Sequence, residues 1–313
     1  MQAALPAKAG SKPHKIKHPL GSRVPLYIML APFMILFFLF TILPILTSLV
    51  LSFFNYDMVS APSFVWIENF KRMFLEDSVF LISVRNTLYI SVIAGPIGFV
   101  LAFILAWIIN EFNPHVRGLL AFLFYSPALA GNVYFLWSIL FSGDSYGYVN
   151  SMLMSMGFIS YPIQWLKEPA YAMTIVIIVQ LWMGMGVSFL ANIAGLQNVN
   201  TELYEAGVID GITNRWQEMW YITLPSILPI VMVTLVLRMG DLLDVGLEKT
   251  LLLSNAMNRQ VAEVFDSYVY QRGVIDGRYS FSAAVGLFKS AVGLILVLGS
   301  NYLSKKVTDE TIY

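Results

Sequence analysis

Six stretches of this chain are long and apolar enough to be membrane spans, and nothing else in the sequence limits the fold so strongly. A spanning helix needs about 20 mostly apolar residues. The runs 27–53, 86–109, 118–141, 171–195, 226–246 and 281–303 reach that length, the last two with charges inside them. Only 12% of the 313 residues are charged, about half the share in soluble domains, so the solvent of this chain is lipid. Pro32, Pro44, Pro96 and Pro127 interrupt the runs singly, which membrane helices tolerate because neighbours satisfy the freed backbone groups. The expected fold is an all-α membrane protein of six transmembrane helices.

The remaining composition mainly excludes. Net charge is zero, which gives no footprint for nucleic acid. There is no cysteine, and His14, His18 and His115 lie apart in polar segments, so no metal site is expected. The first 25 residues carry Lys8, Lys12, Lys15, Lys17 and Arg23 and no acid. The apolar run behind them is too long for a cleaved signal, so it reads as an uncleaved first span with a basic tail. Basic residues favour the cytoplasm, and Lys305 and Lys306 after the last span agree. Both termini are therefore expected in the cytoplasm, with tails at 1–25 and 307–313 flanking a membrane domain at 26–306. The loops 54–85, 142–170 and 247–280 then face outward, the second with an interfacial helix around "YVNSMLMSMGFISYPIQWL".

One polar segment breaks the pattern on the cytoplasmic side, within the loop 197–225: "YEAGVIDGITNRWQEMWYITLP", residues 204–225. Thr201 is a plausible helix cap, and the acids Glu202 and Glu205 suit a first turn. Gly207 and Gly211 allow a bend or a close approach. Trp216, Met219 and Trp220 restart an apolar face at helical period, and Leu224-Pro225 opens the next span. The expectation is two short surface helices around a glycine bend, shaped to dock onto a cytoplasmic partner.

These residues resemble the signature loop of the membrane subunits of binding-protein-dependent ABC importers. That pattern is Glu-Ala-Ala, three residues, Gly, nine residues, Ile, one residue, Leu-Pro. The chain matches it at Glu205, Ala206, Asp210, Gly211, Ile222, Leu224 and Pro225. It departs at Gly207, where the pattern has alanine, and has ten residues rather than nine between Gly211 and Ile222, the excess falling near Ile212–Asn214. The strings "RWQEMWYITLPSILP" and "YVYQRGVIDGRYSFSAAVGLFKSAVGLILVL" further resemble the maltose-type sugar permeases and their oligosaccharide and polysaccharide members. The resemblance implies the type I importer permease fold, a coupling helix seated on an ATPase subunit, a second permease subunit and a substrate-binding protein in the periplasm or anchored as a lipoprotein. It also implies alternating access in a bacterial inner membrane. The chain has no G-x-x-x-x-G-K-[ST] string to cradle phosphates, so ATP and Mg are expected on the partner ATPase and no catalysis or cofactor on this chain.

Charges inside spans are costly, about 2.5–3.5 kcal/mol each at the centre, and so need a reason. Arg238, Asp241 and Asp244 fall in the fifth run and Lys289 in the sixth. At about 1.5 Å per residue, Arg238 and Lys289 reach one level near the midplane, as do Gln180 and Trp182 of the fourth run. One reading is a substrate path, the two cations suiting an acidic saccharide such as a uronate oligomer. The other is ion pairing that holds the helices, with Asp241 one turn from Arg238. Beyond the sugar importer stand two alternatives: the same machine for another solute, and an ion-driven secondary transporter using the buried charges as a relay.

Overall fold

The computed structural model of the chain describes residues 24–129 and 133–308. Two units form, Met1–Ser48 and Leu49–Tyr313. The first holds most of helix α1 (Val24–Leu51), in which a wide π turn at Phe38–Ile42 precedes Pro44, and Leu43 N–H reaches back to Phe38 O. Such a turn is how a helix absorbs a residue that cannot continue its ladder.

The second unit begins with a two-stranded antiparallel ribbon, β1 (Phe54–Asn55) and β2 (Ser63–Phe64), so the fold is not purely helical. Helices α2 (Glu68–Leu75) and α3 (Ser78–Asn110) come next. The residues 78–85, expected in a loop, belong to α3 because Asp77 caps it: its carboxylate accepts Val79 N–H at 3.0 Å and Phe80 N–H at 3.1 Å. Along α3 the buried residues Ala94, Gly98, Ala102 and Ala106 recur every fourth position. That stripe of small side chains lets another backbone come close, and α7 (Pro169–Gln197) packs along it. Around this contact lies one apolar cluster of Ala102, Ala106, Phe189, Ile193, Leu196 and Ile227.

The third apolar run divides into α4 (Pro114–Leu129) and α5 (Val133–Leu140) on either side of residues outside the described ones. Five helices of the described residues are long and apolar enough to cross a membrane: α1, α3, α7, α9 (Arg215–Gly240) and the helix Tyr279–Val307. The segment 142–167 holds only the short α6 (Tyr148–Ser155) and is tied by Asn150, fully buried. Its Nδ2 donates to the carbonyls of Ser142, Asp144 and Ile163, and its Oδ1 accepts from Trp165 Nε1.

Helix α8 (Thr201–Ile209) joins α7 to α9. After Gly240 the fifth run is no longer helix, so Asp241 and Asp244 lie beyond the span rather than inside it. The segment expected as a polar loop at 247–280 is packed instead. It forms α10 (Leu247–Leu253), α11 (Arg259–Ala262) and α12 (Phe265–Tyr270), and leads into α13 (Tyr279–Thr308). Its buried backbone is satisfied by side chains of α3, as a low-dielectric setting requires: Asn86 donates to Gln260 O and Glu263 O, and Thr87 accepts from Phe265 N–H; just before the segment, Ser91 donates to Leu242 O.

Candidate functional site

The connection between α7 and α9 is built by capping. Asn200, not Thr201, caps α8, because its Oδ1 meets the Glu202 N–H at 3.1 Å. The helix ends in a left-handed residue, Gly211 at φ +90°. Ile212 N–H returns to Gly207 O at 2.9 Å and Gly211 N–H to Val208 O at 3.2 Å, the paired bonds of a Schellman stop. Asn214 caps the next helix, accepting from Trp216 N–H at 2.7 Å. That helix is not a separate short one: Arg215–Glu218 runs through a π turn, Met219–Thr223, straight into the span. Leu224 N–H bonds Met219 O there, which spares Pro225 an N–H it does not have. Pro225 stands in the first turn of the α-helical part of α9, Leu224–Gly240, as expected, with the π turn and Arg215–Glu218 continuing the same helix ahead of it.

Gly207 is the one buried residue of α8. A Cβ there would stand 2.5 Å from Ile222 Cδ1 and 3.2 Å from Ile212 Cδ1. Both atoms are side-chain ends, so the small residue here gives a close fit of α8 on Ile222 rather than an absolute need for glycine. Tyr204 OH meets Thr223 Oγ1 at 3.0 Å, so α8 lies against the start of α9. The outward side carries Leu203, Glu205, Ala206, Val208, Ile209 and Asp210, all exposed, with Ile209 at 85%. At the elbow, Arg215 pairs with Glu218 at 2.8 Å and with Glu111 beyond α3 at 3.3 Å, and Trp216 packs on Trp107 with ring centroids 5.3 Å apart.

The charges expected along the substrate path separate into two places. Arg238 projects into a cavity of about 180 Å³ between α3, α7 and α9, lined also by Ser91, Gln180 and Asp241. Two glycines make room for its guanidinium: a Cβ on Gly184 would lie 3.0 Å from Nη2, and one on Gly98 3.6 Å from it. Asp241 shares the cavity but forms no ion pair with Arg238 within the described residues. Lys289 is elsewhere. It pairs with Asp266 at the start of α12 and approaches Asp244 at 3.9 Å. Asp266 also accepts Gly246 N–H at 2.9 Å. Lys289 therefore holds the packed outer segment to α13. Trp182 lies edge-on to Trp137 at 5.3 Å and in the apolar cluster, where packing explains it. Of the path residues, Gln180, Arg238 and Asp241 line one cavity; Asp244 stands between the two places, its carbonyl accepting Gln180 Nε2 at 3.5 Å and its carboxylate 3.9 Å from Lys289.

At the far end of α3, Asp77 accepts Tyr268 OH at 2.7 Å and Arg272 Nη2 at 3.1 Å. Burial, then the bond to Asp77, pushes the Tyr268 hydroxyl well above its ordinary range. Asp276 is held below the usual carboxylate range: burial acts to raise it, and the bonds from Arg272 and Gln271 outweigh that.

The site thus consists of long apolar helices, an exposed short helix between two of them, and a cation in the last turn of α9 facing a cavity between three helices. No family model matches the chain. It is 36% identical over 298 residues to the polygalacturonan/rhamnogalacturonan transport system permease protein YteP of Bacillus subtilis, covering 92% of this chain and 90% of that one. It is 30% identical, with a TM-score of 0.81, to a chain of a bacterial ABC transporter involved in import of the acidic polysaccharide alginate, covering 92% and 98%. A second structure, the alginate transporter with an alginate pentasaccharide-bound periplasmic protein, gives 28%, a TM-score of 0.82, and 94% and 98%. The chain belongs to the permease subunits of binding-protein-dependent ABC importers, in the maltose-type sugar branch. It is a multi-pass membrane protein.

Proposed function

We propose that this subunit carries an acidic oligosaccharide across a bacterial inner membrane by alternating access. The observation that carries the cargo class is Arg238: a guanidinium with no ion pair among the described residues, given room by two glycines, in a cavity between three helices. An anionic sugar would complete the site, since an Arg–carboxylate bond in a dry setting is strong and directional. Lys289 is already neutralised, so one of the two expected cations, not both, faces the path. Acidic polysaccharide in the structural neighbour supports this reading.

The exposed α8 knob is the coupling helix, with Glu205, Ala206 and Asp210 toward a cleft of a separate ATPase that binds ATP and Mg. Gly207, Gly211, Leu224 and Pro225 shape its stop and its joint to α9. A second permease completes the pathway, and a periplasmic or lipoprotein binding protein delivers cargo to the opposite end. Both termini face the cytoplasm, and the run 118–141 supplies the sixth crossing.

The test is the ATPase rate of the complex in lipid with binding protein loaded with neutral or uronate oligosaccharide. Uronate-selective stimulation, and transport lost about tenfold or more in Arg238→Gln, is expected. Equal stimulation by both, with Arg238→Gln unchanged, overturns the acidic cargo.

A further inference from the structure

A second concavity lies at the end of α3 away from α8. It measures about 190 Å³ and is enclosed by the β1–β2 ribbon, α2 and the start of α13, with Asn55, Tyr56, Asp57, Arg72, Arg278 and Ser280 in its wall. The frame is tied: Tyr56 N–H donates to Ser280 Oγ at 3.0 Å, and Asn69 Nδ2 to Ser52 O and Phe54 O, each at 2.8 Å.

The charge in this pocket is unbalanced. Its one acid, Asp57, is consumed by its own turn: Oδ1 accepts Val59 N–H at 3.0 Å, Ser60 N–H at 2.8 Å and Ser60 Oγ–H at 2.7 Å. Those bonds, Ser60's first, hold its carboxyl below the ordinary range. Arg72 has an exposed helix-neighbour contact with Glu76 at 3.6 Å, a geometry of little strength. Arg278 forms no close ion pair among the described residues; it acts on Asp276 only through a weaker, longer-range attraction, behind that of Arg272. Two arginines thus line a hollow the size of one sugar ring, beside a tyrosine and two asparagines.

We propose that this pocket is an outer subsite for one anionic sugar residue, whose carboxylate bridges Arg72 and Arg278 before the cargo reaches Arg238. The inference rests on the acidic cargo above. A planar fork matches a carboxylate with two bonds where an ammonium would give one. Amide and phenol groups then suit the hydroxyls of the same ring. The subsite lies beside α2 and the start of α13, and the Arg238 cavity is lined by residues 91–100 of α3 with parts of α7 and α9, so the two are separate stations for an oligomer.

The experiment measures binding of oligogalacturonate, and of its carboxyl-reduced neutral counterpart, to the assembled importer in nanodiscs without binding protein. The double variant Arg72→Gln, Arg278→Gln is expected to bind the uronate at least tenfold more weakly, with a shallower salt dependence. The neutral sugar should be unaffected, and thermal stability should match the parent. Unchanged uronate binding overturns the subsite. So does unchanged uronate binding with weakened association of the binding protein, which would give the arginines to a carboxylate of that protein. If the double variant is silent while Arg238→Gln abolishes uronate transport, only the subsite falls. If the parent neither binds nor transports uronate, the acidic-cargo reading falls, and the subsite with it.

Discussion

Ile222 closes over Gly207, its Cδ1 2.5 Å from where a Cβ would stand. The exposed knob and the span behind it therefore share one packing contact. Alanine at 207 would gain about 1 kcal/mol of helix propensity and displace only a side-chain end. Gly207→Ala is expected to stay within about 1 kcal/mol of the parent and remain coupled. Gly207→Leu, which must lift α8 off α9, should lower binding-protein-stimulated ATPase while leaving the assembled complex intact. Equal stimulation in the leucine variant would show that the contact transmits nothing.

Lys289 and Asp266 tie α13 to the packed outer segment. Removing one member of such a pair strands the other, at a cost of about 3–5 kcal/mol when fully buried, and less here where both retain some exposure. Lys289→Met should lower the melting temperature, and adding Asp266→Leu should recover part of the loss without changing cargo preference. A shift in preference between neutral and uronate cargo would return Lys289 to the substrate path.

Asn192 is fully buried on α7, and neither its Oδ1 nor its Nδ2 meets a partner among the described residues. An unsatisfied buried polar group costs about 1–3 kcal/mol. Asn192→Leu is expected to raise the melting temperature of the resting complex and to slow transport by favouring the arrangement seen here. A lower melting temperature would mean that the amide is already satisfied in this state.

Tyr268 gives a pH signature. Its hydroxyl is raised in the fold by burial and by the bond to Asp77. Its contribution is complete below the unfolded value near 10 and is lost as pH rises above that, at up to about 1.4 kcal/mol per pH unit. Melting curves from pH 8 to 11 should fall more steeply for the parent than for Tyr268→Phe. Parallel curves would show that Tyr268 ionises freely.

Five of the six expected spans were legible because apolar runs of that length have few other solutions. Their ends were less so. The 78–85 extension of α3 depends on Asp77 as a cap, and a lone Asp before a mixed sequence is a weak sign. The outer segment read as a loop because its composition is polar; it packs because Asn86, Thr87 and Ser91 supply its missing bonds, and such pairing is not visible along one strand of sequence. Asp266 was missed for the same reason, since nothing in that segment marked it as Lys289's partner. Depth arithmetic put Lys289 and Arg238 at one level, which is silent on azimuth. The short helix and the glycine bend of 201–211 were plain in their residue types, whereas the seat of Gly207 under Ile222 depends on a contact across the loop.

The π turn at Met219–Thr223 decides what kind of motion the elbow can send inward. Moving such a turn by one residue would spin everything beyond it by about 100°. Pro225 blocks that on one side, having no N–H to hand over. On the other, Trp216 on Trp107 and Arg215 on Glu111 pin the start of the helix. If α8 is pushed, as the proposed coupling requires, a joint keyed in this way would pass slide or tilt along α9 toward Arg238 rather than twist.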